Sequence, residues 1–178
     1  MQDILTCAMG LDVHRDIIVA CLVKGAVDAE PEAETRTFST LIPEMQKLRD
    51  WVIEAECRNV AMESTGIYWQ PIYEMLESCF DGEISILVVN ARHMKNVPGR
   101  KTDMKDAQWI ATLLRAGLLK GSFIPDKAFR ELRHLTRYRK SVVHDITAQK
   151  NRIDKFLQSS GFRFTAFLSD TFGASGRN

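Results

Sequence analysis

Two apolar runs near the N-terminus, CAMGLD (Cys7 to Asp12) and IIVACLV (Ile17 to Val23), are separated by little more than His14-Arg15-Asp16. No other feature constrains the fold as much. A gap that short closes a tight turn, so the two runs pair as antiparallel strands. Gly25 ends the second run. The acidic stretch DAEPEAE around Pro31 reads as an exposed hairpin loop, and a third strand follows near Thr35 to Thr40. The three strands form an antiparallel meander.

Helical periodicity then takes over. Leu41, Met45, Leu48, Val52 and Ala55 share one helical face between Leu41 and Cys57. NVAMES is a fourth strand ending on Glu63, Gly66 marks a turn, and a second helix covers Ile67 to Cys79. ISILVVN (Ile84 to Asn90) is an apolar run of strand length, expected to be buried on both faces as parallel strands are. A meander followed by helix, strand, helix, strand is the order of an α/β, ribonuclease H-like mixed sheet with flanking helices. Periodicity alone leaves other α/β folds open.

The chain changes character after Asn90. A basic loop with Pro98-Gly99 leads into a helix expected from Thr102 to Leu114. Beyond Gly117, Gly121 and Pro125 a long helix is expected from Lys127 to Leu157. Its Leu132, Leu135, Val142, Ile146, Ile153 and Phe156 alternate at spacings of three and four. Arg139 and Gln149 fill the two remaining seam positions, giving a short, imperfect coiled coil. Charge divides the same way. Residues 1–90 hold 6 Lys and Arg against 16 Asp and Glu, whereas residues 91–178 hold 18 against 7. An acidic first half suits cation binding and a basic second half suits a polyanion. Charges that neutralise each other, within one chain or across a dimer, are the plainer alternative.

Hydrophobic residues at 45% and charged residues at 26% argue against a disordered chain. No apolar run approaches a membrane span, and MQDILTCAMG has no basic region ahead of its first strand, so a cytoplasmic chain is expected. Cys7, Cys21, Cys57 and Cys79 have no metal-ligand spacing and apolar neighbours, which suggests buried free thiols in a reducing compartment.

Four acids carry the chemistry. Asp12 in GLDVH and Glu63 in MESTG close apolar strands, and Asp103 and Asp106 in KTDMKDA lie three apart on one helix face. Carboxylates at strand ends and on an adjoining helix can converge on hard cations such as magnesium, two of which can drive phosphodiester cleavage. Arg92, His93, Lys95, Arg100 and Lys101 precede that helix and are candidate phosphate contacts. Arg130, Arg133, Arg137, Arg139 and Lys140 form a basic run with His134 and Tyr138 interleaved, either a nucleic-acid rail or a solvated face. Tyr68, Trp69 and Tyr73 suit core or dimer packing better than base stacking. His14 is best read as a turn histidine.

GLDVH, AMESTGIYW, VNARHMKNVPGRKTDMKDA and the arginine-rich helix resemble the N-terminal part of the DEDD transposases of the insertion sequence 110 family, relatives of the Piv-type invertases. The resemblance covers essentially the whole chain. It implies a RuvC-like nuclease domain over residues 1–120, with catalytic and metal-binding acids at Asp12, Glu63, Asp103 and Asp106 and two Mg2+ ions, Mn2+ serving as substitute. It also implies DNA recombination and, in some members, a structured guide RNA. Residues 121–178 would be a basic coiled-coil helix leading toward a serine-containing transposase domain, with a homo-dimer or tetramer built through that helix. Family members continue into that second domain and this chain stops before it, so complete strand transfer by this chain alone is not expected. Two other classes stay in view. A dimerising nucleic-acid-binding regulator would carry inert acids. A sugar kinase or actin-like ATPase shares the sheet, yet Val13-His14-Arg15-Asp16 offers no glycine-bearing phosphate loop.

Overall fold

The computed structural model describes residues 4–64, 66–80, 82–90, 106–168 and 170–173. They divide into two compact units, Met1–Ile124 and Pro125–Asn178.

The first unit is built on a five-stranded mixed sheet of order β3-β2-β1-β4-β5, comprising β1 (Cys7–Val13), β2 (Ile17–Lys24), β3 (Glu32–Ser39), β4 (Asn59–Glu63) and β5 (Ser85–Val89). β1 to β3 form the antiparallel meander, with Cys7 opposite Lys24 and Ile17 opposite Ser39. β4 and β5 join parallel to β1. The order and directions are those of a ribonuclease H-like sheet. The β1–β2 turn is tied to the end of β3: the Thr40 N–H donates to the Asp16 carbonyl at 3.3 Å and its hydroxyl to the Arg15 carbonyl at 2.9 Å.

Alternation sorts the strand side chains between two faces. Met9, Leu11, Ile18, Ala20, Leu22, Val60 and Met62 enter the main core. There α1 (Ile42–Glu54) contributes Leu48, Trp51 and Val52, and α2 (Trp69–Phe80) contributes Ile72 and Leu76. The opposite face is covered by α3 (Asp106–Arg115), whose Ala107, Ile110, Ala111 and Leu114 pack on small strand residues, among them Ala8, Ala61 and Cys21. Trp69 and Tyr73 meet edge-on at 5.7 Å against the main core, so packing is their role here.

Three expectations change. The third strand begins at Glu32, because pairing with β2 continues through residues whose acidity resembles a loop. On β5 only Val88 and Val89 are buried, while Ser85 is exposed and Ile86 and Leu87 are half-buried. β5 lies at the sheet edge, with β4 as its one neighbouring strand among the described residues and a bridge from Val89 to Gly121 on its outer side. All four cysteines are free, but Cys7 is half-buried and Cys79 exposed, since the end of α2 leaves one side toward solvent.

Arg115, 1% exposed at the end of α3, clips two segments together. Its Nε donates to the Leu5 carbonyl at 2.9 Å, and its Nη2 donates to the carbonyls of Gly25 at 3.2 Å and Ala26 at 2.6 Å.

The second unit is dominated by α4 (Lys127–Ser159), a 33-residue helix opened by Asp126, whose carboxylate accepts from the Phe129 N–H at 3.0 Å. Among the described residues no helix is long and apolar enough to cross a membrane.

Candidate functional site

Asp12 is the next-to-last residue of β1 and Glu63 the last of β4. The parallel register pairs Gly10 with Ala61 and Leu11 with Met62. One further step sets Asp12 beside Glu63. Side chains alternate along a strand, so Asp12 shares the face of Gly10, and Glu63 shares that of Ala61. This is the face covered by α3.

Gly10 explains how the helix comes close enough. A Cβ built on it would collide with the backbone carbonyl of Ala107 and the backbone nitrogen of Ala111, and would lie 3.0 Å from Ile110 Cβ. The contacts also give the helix direction. Ala8 packs with Ile110 and Leu114, whereas Gly10, two residues later, meets Ala107 and Ala111. α3 therefore runs antiparallel to β1, and its first turn approaches the end of the strand that bears Asp12. Ile110 lies over the seam between β1 and β4, touching Ala8 and Ala61. Asp106, four residues before Ile110, falls on the same helix face and opens toward the ends of those strands.

Asp12 is nearly enclosed, its side chain 14% exposed, and the His14 Nε2 sits 3.1 Å from its Oδ2. Glu63 is half-buried and Asp106 exposed. An all-carboxylate donor set fits a hard divalent cation that keeps part of its water shell. Among the described residues, no three acid, histidine or cysteine side chains are yet grouped tightly enough to hold an ion. Asp103 lies outside the described residues, as do Arg92, Lys95, Arg100 and Lys101.

The basic run on α4 separates into distinct positions. Arg130 is 8% exposed and its Nη1 donates to the Pro125 carbonyl at 2.7 Å. Arg133, Arg137, Arg139 and Lys140 are exposed. At 100° per residue Arg133, Arg137 and Lys140 form one stripe, while Arg139 sits in the apolar seam on the opposite side. The seam residues are exposed: Leu132 is 56%, Leu135 67%, Ile146 52% and Phe156 69% exposed. Sequence reasoning overlooked Gly10 and Arg115. A glycine inside an apolar strand was the available signal for the first, whereas nothing near Arg115 announces its carbonyl partners.

Comparison with solved structures finds RuvC of Thermus thermophilus at 12% identity, covering 65% of this chain and 99% of that one with a TM-score of 0.45. The T. thermophilus RuvC in complex with a Holliday junction substrate matches at 13% identity, covering 66% and 100%, with a TM-score of 0.48. No curated protein matches. The transposase family of DEDD enzymes from insertion sequence 110 elements matches residues 9–161, most of the sequence, and the chain belongs to it.

Proposed function

We propose that this chain provides the metal-dependent phosphodiester-cleaving part of a DNA transposase, with Asp12, Glu63, Asp103 and Asp106 as the metal ligands. The observation that carries the reading is the adjacency of Asp12 and Glu63 on neighbouring parallel strands, on the face where α3 begins with Asp106. Membership of a transposase family supports DNA as the substrate. The nuclease domain spans residues 1–120, and residues 121–178 form the helical extension.

The protein's own contribution is positional. The sheet fixes Asp12 through its pairing with Val19 of β2 and Glu63 through its pairing with Val89 of β5, while the β1–β4 pairing runs up to Leu11 and Met62 just before them. Asp106 rides on a helix anchored by Ala107, Ile110 and Ala111. Rigid placement of the acids matters because phosphoryl transfer depends on positioning and electrostatics. Two magnesium ions, or manganese in their place, would supply activation of the attacking oxygen and stabilisation of the leaving one.

Arg92, Lys95, Arg100 and Lys101 are proposed to grip the backbone beside the scissile phosphate. Arg133, Arg137 and Lys140 are proposed as a rail for DNA or a structured guide RNA, whereas Arg130, buried against the Pro125 carbonyl, and Arg139, in the apolar seam, lie off it. The apolar seam opposite that rail is proposed to pair with a second copy, giving a dimer or a dimer of dimers. Such pairing would leave Arg133, Arg137 and Lys140 open to nucleic acid.

Manganese titration by calorimetry tests the site, comparing the native chain with Asp12→Asn, Glu63→Gln and Asp103→Asn. Weakened binding in all three places distant acids in one site, and metal-dependent nicking of DNA should then be lost in the same variants. Native affinity in the three variants would refute a shared metal centre.

A further inference from the structure

We infer that Cys7 and Cys57 form a thiol-modification site, a dithiol that closes to a reversible disulfide when the chain meets a hydroperoxide. The two residues are fifty positions apart and the fold brings them together. Carrying the β1–β4 register back from Met9 and Val60 sets Cys7 opposite Arg58, next to Cys57. The Asn59 side-chain amide donates to the Cys7 carbonyl at 3.3 Å, and the Cys57 thiol lies 3.3 Å from the Asn59 carbonyl. Both side chains belong to the same core cluster, Cys57 within it and Cys7 packed against it.

The surroundings suit oxidation by a small molecule. Cys7 is half-buried, and Cys57, though 2% exposed, lines an open cavity of about 480 Å3 with Arg58, Phe80 and Ile84. Lys24, the strand partner of Cys7, directs its ammonium to the Ala55 carbonyl at 3.5 Å, which holds a cation near the pair. The hydrogen bond with Cys57 lowers the Cys7 thiol to about 7, against burial and with help from Lys24. Cys57 moves the other way, raised by its hydrogen bond with Cys7 and by burial. One thiol is thus readied as the attacking thiolate and its neighbour retains a proton.

The chemistry balances in two steps. The Cys7 thiolate attacks the terminal oxygen of the hydroperoxide, the O–O bond breaks, and the alkoxide or hydroxide takes a proton, leaving Cys7 as a sulfenic acid. The Cys57 sulfur then attacks the Cys7 sulfur, its proton leaves with the hydroxyl as water, and the disulfide forms. The peroxide is reduced, the two thiols are oxidised, and a dithiol reductant reverses the change. The site lies at the opposite end of β1 from Asp12, so it does not depend on the proposed metal centre.

The full chain would be treated with a small excess of hydrogen peroxide, then unfolded, alkylated and mapped by mass spectrometry. The expected result is a mass lower by two hydrogens, two alkylated cysteines in place of four, and a Cys7–Cys57 cross-link that dithiothreitol removes. Cys57→Ser should leave a dimedone-reactive sulfenic acid on Cys7, and Cys79→Ser should behave like the native chain. Four alkylated cysteines after treatment, or a disulfide that joins two copies through Cys79, would overturn the assignment. The native-chain map decides the matter even where Cys57→Ser folds poorly.

Discussion

Gly10→Ala probes the contact on which the site's geometry rests. The added methyl would meet the backbone of Ala107 and Ala111, which cannot rotate aside as a side chain can. Ordinary contact begins at 3.4 Å, so α3 must withdraw from β1 by about 1 Å. A gap of that size forfeits roughly a quarter to a half of the dispersion energy along the seam. The residues that lose it are Ala107, Ile110, Ala111 and Leu114 against Ala8, Ala61, Cys21 and Val23. Overpacking of this kind costs about 1–3 kcal/mol, and clashes with backbone atoms favour the upper end. At about 3 kcal/mol, a urea slope of 2–3 kcal/mol/M moves the midpoint down by roughly 1 M or more. The melting temperature should fall by about 6–12 °C. Urea unfolding followed by tryptophan fluorescence reads the change, because Trp109 lies buried on α3 itself. The same variant should bind manganese more weakly, since Asp106 moves with the helix. Stability within about 0.5 kcal/mol of native would refute the close helix–strand contact. Lost stability with unchanged manganese affinity would show that α3 does not position the acids.

Arg115→Ala removes three charge-assisted hydrogen bonds from a buried guanidinium to backbone carbonyls and should cost on the order of 3 kcal/mol, measured by thermal unfolding. Arg115→Lys should recover part of that loss. Reversing Arg133, Arg137 and Lys140 to Glu should abolish nucleic-acid binding while leaving the helical circular dichroism unchanged. Single neutralisations should each lower the salt dependence of binding by about one unit of slope; unaltered binding by the triple reversal would assign the stripe to solvent. Cys7 lowered to about 7 in the folded chain, against 9.0 for the free thiol, makes the unfolded state hold more protons between those values. Its contribution to stability should therefore rise with pH across that window and disappear below it. The raised Cys57 opposes the gain above pH 9. Iodoacetamide labelling of Cys7 in the native state should climb through pH about 7 and then level; labelling that starts to climb only near 9 would contradict the thiol pairing.

Local pattern was enough to read the strands and helices in order. A four-residue gap between apolar runs forces an antiparallel turn, and a 3-4 alternation over Leu132 to Phe156 marks one long helix, because both signals act within a few residues. Boundaries were less legible where tertiary pairing overrides composition. Glu32 and Glu34 read as loop, yet they extend β3 because β2 offers a free edge beside them. For Asp12, Glu63 and Asp106, the sequence determined their chemistry and their places at strand ends and on a helix. Only the tertiary structure decided that Asp12 and Glu63, fifty-one residues apart, lie side by side, because register is a property of two strands together. The same holds for Gly10 beneath α3, for Arg115 across three carbonyls, and for Cys7 against Cys57. Each of these contacts joins segments remote in the chain, and a side chain's partners across a sheet are fixed by packing that no short window of sequence contains.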